Sequence, residues 1–412
     1  MTHASRILDE RTGLVGELAT VAVAGGPAAR TAALCDTAAF ALCSGGPLTA
    51  GASWYDSDAA VRAALGEATE RYCGHLVPRS RLRWGSYREW ARDGTDAVDP
   101  ATLALYRPEQ LARAQFPFAG ISSNEHIAWT EATDSQGGTV LVPASLVWLA
   151  PGPHSATPDG RQLHLPVNAG IAAGPSLAAA AEGALVEVVE RHCLAQAWHG
   201  GRAFPLVERV PGYELREVPC DLGLAVALAA VTSDDGLTAY GCGAGPRWEQ
   251  AAAKARAEAT FMVTTARLVA NGLDTWERPR GPLAPHRADG RYARSYRPDL
   301  ADATDITCHL QLLADPSVAT RVAGRLASGH GPRSWSHPPR AEMGDLHAAL
   351  DAAGLRPLTV DLTTPDVASC GLAVARAVVP GLRATGPAAF PYLGDGLAPL
   401  PGQPCRLPVP HV

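Results

Sequence analysis

The chain of 412 residues lacks what several large function classes require. It has no run of 18 uninterrupted apolar residues, and its opening MTHASRILDERTG has no apolar stretch of the kind a secretory signal carries. The expected location is therefore cytoplasmic. An excess of basic residues is missing too: the net charge is −6, with 35 Lys and Arg against 41 Asp and Glu, which argues against nucleic acid as the main partner. The nine cysteines form no CxxC pair and no Cys/His set at zinc spacing, and they read as reduced core residues. The run Gly241 to Gly245, GCGAG, lacks the GxGxxG spacing of a dinucleotide fingerprint. What remains is a soluble globular chain, 47% apolar and 18% charged, long enough for one large domain or two closely packed ones.

The stretch with most to say is Pro175 to His199, PSLAAAAEGALVEVVERHCLAQAWH. Ser176 is a good N-cap, the alanines and leucines after it are strong helix formers, and nothing breaks the run before Gly200. One long helix then places Glu187, Glu190 and Arg191 on neighbouring turns of one face. Taken alone, such an ExxER is an ordinary i,i+4 ion pair. It is not alone, because ALGEATERYC from Ala64 and ALVEVVERHC from Ala184 share the pattern A-L-x-E-x-x-E-R-x-C. No third copy follows in the sequence, so a solenoid is excluded and two helices with equivalent acidic faces are expected. Glu67, Glu70, Glu187 and Glu190, as two i,i+3 pairs of carboxylates, suit hard cations with phosphate oxygens between them. Nucleotide binding follows as a hypothesis.

Around these helices the pattern alternates with strands. Ala19 to Gly26 and Leu34 to Gly46 read as strands, and Asp56 to Cys73 as the first motif helix. Asn168 to Gly174, NAGIAAG, offers backbone amides just ahead of the central helix. Leu222 to Ser233 and Leu237 to Gly245 read as a hairpin, and Trp248 to Ala270 as a third long helix with Lys254 and Glu258 at i,i+4. Arg278 to Arg297 holds six arginines and a single acid, Asp289, either as a solvated loop or as a surface for an anionic partner. Leu358 to Thr364 and Gly371 to Pro380 close the list of strands.

These residues resemble the YcaO family. The resemblance rests on LGEATERY (Leu65 to Tyr72), NAGIAAG followed by ALVEVVER, AKARAEA around Glu258, and DLTTPDV with GLAVARAVVPGL (Asp361 to Leu382), in family order from about Gly45 to the C-terminus. It implies an α/β, YcaO-type fold in which sheets backed by long acidic helices surround a nucleotide site, with residues 1–44 as an N-terminal segment and 45–412 as the family domain. It further implies use of ATP and Mg2+ to convert Cys, Ser or Thr of a ribosomal precursor peptide to thiazoline or oxazoline, as in thiazole/oxazole-modified, bacteriocin-type natural products. The side chain attacks the preceding amide carbonyl, the amide oxygen is phosphorylated, and its loss leaves the ring.

Carried over position by position, Glu67, Glu70, Glu187 and Glu190 match the carboxylates that hold metal, and together with Arg71, Arg191, Lys254 and Glu258 they match the nucleotide contacts. The partners implied are the precursor peptide and a separate leader-binding protein, with no nucleic acid and no membrane, and a homodimer is a reasonable prior. The chain departs from the family pattern at the lysine missing from CSGGPL (Cys43 to Leu48), and at Ala63, Pro175, Ala179, Lys254 and Phe261. These departures support the alternative, an ATP-incompetent subunit that binds precursor or scaffolds an active partner. The family's proline-rich end is matched in part by Pro408 and Pro410, which carry a catalytic assignment by resemblance. As a terminal polyproline-type segment of five residues, the tail is expected to bury little core.

Overall fold

The structure is a computed structural model that describes residues 7–9, 13–23, 30–36, 48–53, 57–234, 236–270, 283–329, 343–401 and 403–411. Three long helices organise it, each laid on strands. The first sheet is antiparallel, β1 (Glu17–Val23), β2 (Arg30–Asp36) and β3 (Leu48–Ser53), and α1 (Ser57–His75) covers it. The domain boundary expected after residue 44 runs between β2 and β3, which pair from Thr31 with Ser53 to Asp36 with Leu48, so the two sides of that boundary share one sheet.

The second sheet collects distant segments: β4 (Arg83–Gly85), β5 (Ile127–Asp134), β6 (Thr139–Pro143), β7 (Ile171–Gly174), and, far along the chain, β12 (Leu358–Asp361) and β13 (Ala373–Val378). Its path is β4-β5-β12-β13-β7, with β6 paired to β5, and α2 (Leu177–His199) packs on β7 and β13. The third sheet is the meander β8 (Leu206–Val210), β9 (Tyr213–Glu217), β10 (Ala225–Thr232) and β11 (Thr238–Gly245), backed by α3 (Trp248–Ala270). The expected hairpin is the β10–β11 pair, running from Ala225 opposite Gly245 to Thr232 opposite Thr238.

Local chemistry explains why helix and strand meet so closely. Ser176 caps α2 by accepting the Ala179 amide at 3.2 Å, and Gly200 ends it. Each helix turns an alanine stripe to its sheet: Ala60 and Ala64 on α1, Ala180 and Ala184 on α2, Ala251 and Ala255 on α3 are all fully buried. The strands answer with glycine. A Cβ on Gly51 would stand 2.4 Å from the Ala60 carbonyl oxygen, and one on Gly243 would stand 2.4 Å from that of Ala251, so only glycine permits this approach. The largest apolar cluster joins α2 to the third sheet and to α4 (Cys308–Ala314), through Trp198, Leu194, Leu228 and Leu312.

Of the arginine-rich stretch, Arg278 and Arg280 lie outside the described residues. Arg287 pairs with Asp289 at 2.7 Å and Arg297 with Asp299 at 3.1 Å. Two of the six arginines are thus paired with aspartates two residues on.

Candidate functional site

The two copies seen in the sequence become three in space. Glu67 on α1 accepts the Ala50 amide at 3.3 Å, Glu187 on α2 accepts the Gly170 amide at 2.9 Å, and Glu258 on α3 accepts the Cys242 amide at 2.8 Å. In each case a helix glutamate reaches back 16 or 17 residues to the strand or turn beneath it. The third unit lacks the full sequence motif but shares this glutamate-to-amide contact. The signal for it was short: Ala257-Glu258-Ala259-Thr260 echoes Gly66-Glu67-Ala68-Thr69, and both threonines bond back one turn, to Arg256 and Leu65.

The second glutamate of each ExxE ties one unit to the next. Glu70 on α1 accepts the amide of Ala173 in β7 at 2.8 Å, and Glu190 on α2 meets Lys254 Nζ of α3 at 2.9 Å. Arg71 pairs with Glu67 at 2.6 Å, while Arg191 lies 3.5 Å from Glu187, 3.2 Å from Glu190 and 3.7 Å from Glu258. The structure thus gathers Glu67, Glu70, Arg71, Glu187, Glu190, Arg191, Lys254 and Glu258 along one set of helix faces. Among the described residues, no three His, Cys, Asp or Glu side chains are close enough together to hold a metal ion in this arrangement.

Charge is unevenly met in this cluster. Five carboxylates face three cations, Arg71, Arg191 and Lys254. Burial pushes the Glu70 carboxyl up to about 8, against the amide of Ala173, and nearby Glu187 and Glu67 push in the same direction. Glu190 has no exposed surface, and its Oε1 has no hydrogen-bond partner; the Arg191 guanidinium is near but misaligned. Burial works to lower the Lys254 pKa, but the carboxylates of Glu190 and Glu187 outweigh it and hold it above its usual value. The carboxylates do not form a ready-made metal cage, but their excess suits a cation such as Mg2+ that takes one or two carboxylates and most of its other ligands from nucleotide phosphates and water.

The raised Glu70 pKa sets a testable pH dependence. Because the folded value, about 8, stands above the ordinary 4.5, protonated Glu70 supports the fold fully below about pH 4.5, and that support is lost as pH rises through 8. Glu70→Gln should be little different from wild type at pH 5 and more stable than it at pH 8, measured by urea unfolding. Parallel stability curves for the two proteins would refute this.

The C-terminal segment enters the same place. Pro408, Val409, Pro410 and His411 are buried, contrary to the expectation that the tail buries little core. The prolines fix an extended course that lets Val409 join the largest apolar cluster. The His411 ring contacts Arg191 and lies 3.6 Å from Glu258, and its carbonyl accepts His309 Nδ1 at 3.1 Å. Burial and the Arg191 charge lower the His411 pKa. Burial works to raise the Glu258 pKa, yet His411 and Arg191 hold that carboxyl well below the usual range. Pro408 and Pro410 themselves touch none of the carboxylates by hydrogen bond; they place His411. That ring was not singled out in the sequence, where it stood only as part of a proline-rich end.

Pro175, one of the departures from the family pattern, lines an open groove of about 500 Å3 at the start of α2, with Leu177, Asp361 and Thr363. Two buried arginines, Arg376 and Arg383, were also missed. Arg376 interrupts an apolar strand pattern in β13, which was the available signal.

In sequence, residues 55–383 match the family described as YcaO cyclodehydratase, ATP- and Mg2+-binding. No curated protein matches the chain. Among solved structures it is similar to a heterocyclase in complex with substrate and cofactor, at 17% identity and TM-score 0.68, covering 93% of this chain and 53% of that one. The chain thus spans about half the length of that heterocyclase. It is similar to the YcaO protein of Methanopyrus kandleri bound with AMPPCP and Mg2+, at 20% identity and TM-score 0.58, covering 92% and 88%. It is also similar to a chain of the E. coli microcin synthetase McbBCD complex with pro-MccB17 bound, at 12% identity and TM-score 0.65, covering 98% of both. At these identities the likeness establishes the α/β fold.

Proposed function

The chain belongs to the YcaO family, and on that premise we propose that it is an ATP- and Mg2+-dependent cyclodehydratase forming azolines in a ribosomally made precursor peptide. The observation that carries the reading is the acidic cluster, in which five carboxylates face three cations and the buried Glu190 keeps one oxygen that accepts no hydrogen bond. Glu67, Glu70, Glu187 and Glu190 would hold Mg2+, and Arg71, Arg191, Lys254 and Glu258 would orient the nucleotide. When bound, ATP supplies the phosphoryl group that turns the amide oxygen into a leaving group.

The chain's own residues supply position and charge. Arg191, held by Glu187, Glu190 and Glu258 from two helices, is a preorganised cation at the centre of the cluster. Pro408 and Pro410 hold His411 against Arg191 and Glu258, where a proton acceptor or donor is available at the ring. The peptide would reach this cluster with the help of a separate leader-binding protein, as the multi-component synthetase among the similar structures suggests by its composition.

A second reading has an observation of its own. Lys254 stands on Glu190 at 2.9 Å and His411 on Arg191, so the chain's own cation and tail occupy contacts that a nucleotide would use. An ATP-incompetent subunit that binds precursor or supports an active partner accounts for that arrangement. Calorimetric titration of the purified chain with ATP·Mg2+ decides between them: absence of binding removes the enzymatic reading.

Ala179→Glu refines the test. It restores a carboxylate on the first turn of α2, where an anion is also favoured by the helix N-terminus. One charge-assisted contact of about 1.5–3 kcal/mol should tighten ATP·Mg2+ roughly ten- to hundredfold. Unchanged affinity in a protein that binds ATP would show that the first turn of α2 does not face the metal.

A further inference from the structure

A partly open pocket of about 70 Å3 lies between α2, β13 and the segment that follows it, from Pro380 to Leu397, several times the ~10–15 Å3 that one water needs. Its walls are apolar, with Val188, Leu382 and Tyr392 among them, yet three arginines line it, Arg191, Arg376 and Arg383, and no carboxylate does. Arg376 is 3% exposed and Arg383 2% exposed. Arg376 gives Nη1 to the carbonyls of Val167 and Asn168, at 2.8 and 3.5 Å, and its Nε has no partner. Arg383 gives its hydrogens to Gln196 Oε1 and to the carbonyls of Tyr392 and Ala398. Burial lowers both arginines to about 10, Arg376 against the pull of nearby Glu187, so both remain charged at neutral pH.

A buried guanidinium held only by neutral acceptors is costly to the fold, and two facing one cavity with an idle N–H point to a counter-ion. We propose that this cavity is an anion site that takes one tetrahedral oxyanion, bound by Arg376 and Arg383 and reached by Arg191. The planar guanidinium fork matches oxyanion geometry. Arg191 belongs both to this cavity and to the acidic cluster, so the two sites share a wall. Identification of the anion as phosphate, which the proposed reaction releases, rests on that proposed function; binding of an oxyanion does not.

The test is thermal unfolding of the full chain in orthophosphate against sodium chloride at matched ionic strength. Phosphate should raise Tm saturably by a few degrees. Arg376→Met should abolish that response, while its Tm in chloride stays at or above that of wild type, because an uncompensated buried charge has been replaced by an apolar side chain of similar length. Equal Tm in the two salts, or an equal phosphate response in the variant, would overturn the proposal. Should Arg376→Met fail to fold, selenate soaked into wild-type crystals gives the same decision: an anomalous selenium peak within hydrogen-bond reach of Arg376 Nε supports the site, and peaks only elsewhere refute it. ATP·Mg2+ calorimetry separates the two ideas, since loss of nucleotide binding with an intact phosphate response sinks the proposed function alone, and the reverse sinks only the anion site.

Discussion

Glu190→Gln is expected to weaken ATP·Mg2+ binding by roughly ten- to hundredfold, the equivalent of about 1.5–3 kcal/mol for one charge-assisted contact. Glu190 is the carboxylate with no exposed surface, sits between Lys254 and Arg191, and has one oxygen without a hydrogen bond. Substitution by glutamine keeps the volume and removes the charge. It also leaves Lys254 and Arg191 less compensated, so some loss of stability accompanies the loss of affinity, on the order of 1–3 kcal/mol. The two effects are separable by Lys254→Met. If Glu190 serves chiefly to neutralise Lys254, the double variant regains the stability that Glu190→Gln lost while nucleotide binding stays weak; coupling between partners in contact is typically about 0.5–3 kcal/mol. Calorimetry with ATP·Mg2+ and urea unfolding of the four proteins are the measurements. Wild-type affinity in Glu190→Gln would remove the carboxylate cluster from the nucleotide site.

The helices that carry this cluster were legible because their signals are local. Ser176, the alanine run and Gly200 state where α2 begins and ends, and the repeated A-L-x-E-x-x-E-R-x-C states that α1 and α2 present the same face. The three-way arrangement was not legible, because what Glu258 shares with Glu67 and Glu187 is a strand or turn amide beneath it and an alanine stripe around it, a tertiary relation with only a four-residue echo in the chain. The tail shows the same limit. Two prolines report a backbone angle, not a docking site, and the burial of Pro408 to His411 depends on His309 and Arg191 from elements a hundred residues or more away. Arg376 escaped for a related reason: a strand pattern with one arginine in it looks amphipathic, and its burial in β13 is a tertiary fact. In the arginine-rich stretch, aspartates close in sequence, Asp289 and Asp299, take up Arg287 and Arg297.

Deleting Pro408 to Val412 is expected to lower both stability and ring formation. Val409 is 2% exposed within the largest apolar cluster, and uncovering such a side chain costs about 1.5–3 kcal/mol. His309 loses the carbonyl that its Nδ1 faces at 3.1 Å, and Arg191 loses the ring it contacts. A fall in Tm of about 2–3 degrees, read by calorimetry, follows from the first loss alone. That fall could by itself explain a loss of activity, so His411→Ala is the sharper variant, because it keeps Val409 and both prolines in place. In the enzymatic reading His411→Ala leaves Tm nearly unchanged and reduces azoline formation in a reconstituted system, scored by mass spectrometry as the loss of one water per ring. In the subunit reading the ring merely fills space beside Arg191, so its removal opens that guanidinium and ATP·Mg2+ affinity rises instead. Full product yield together with unchanged affinity in His411→Ala would show that the tail is a structural strap whose prolines secure Val409, and would withdraw Pro408 and Pro410 from any part in the chemistry.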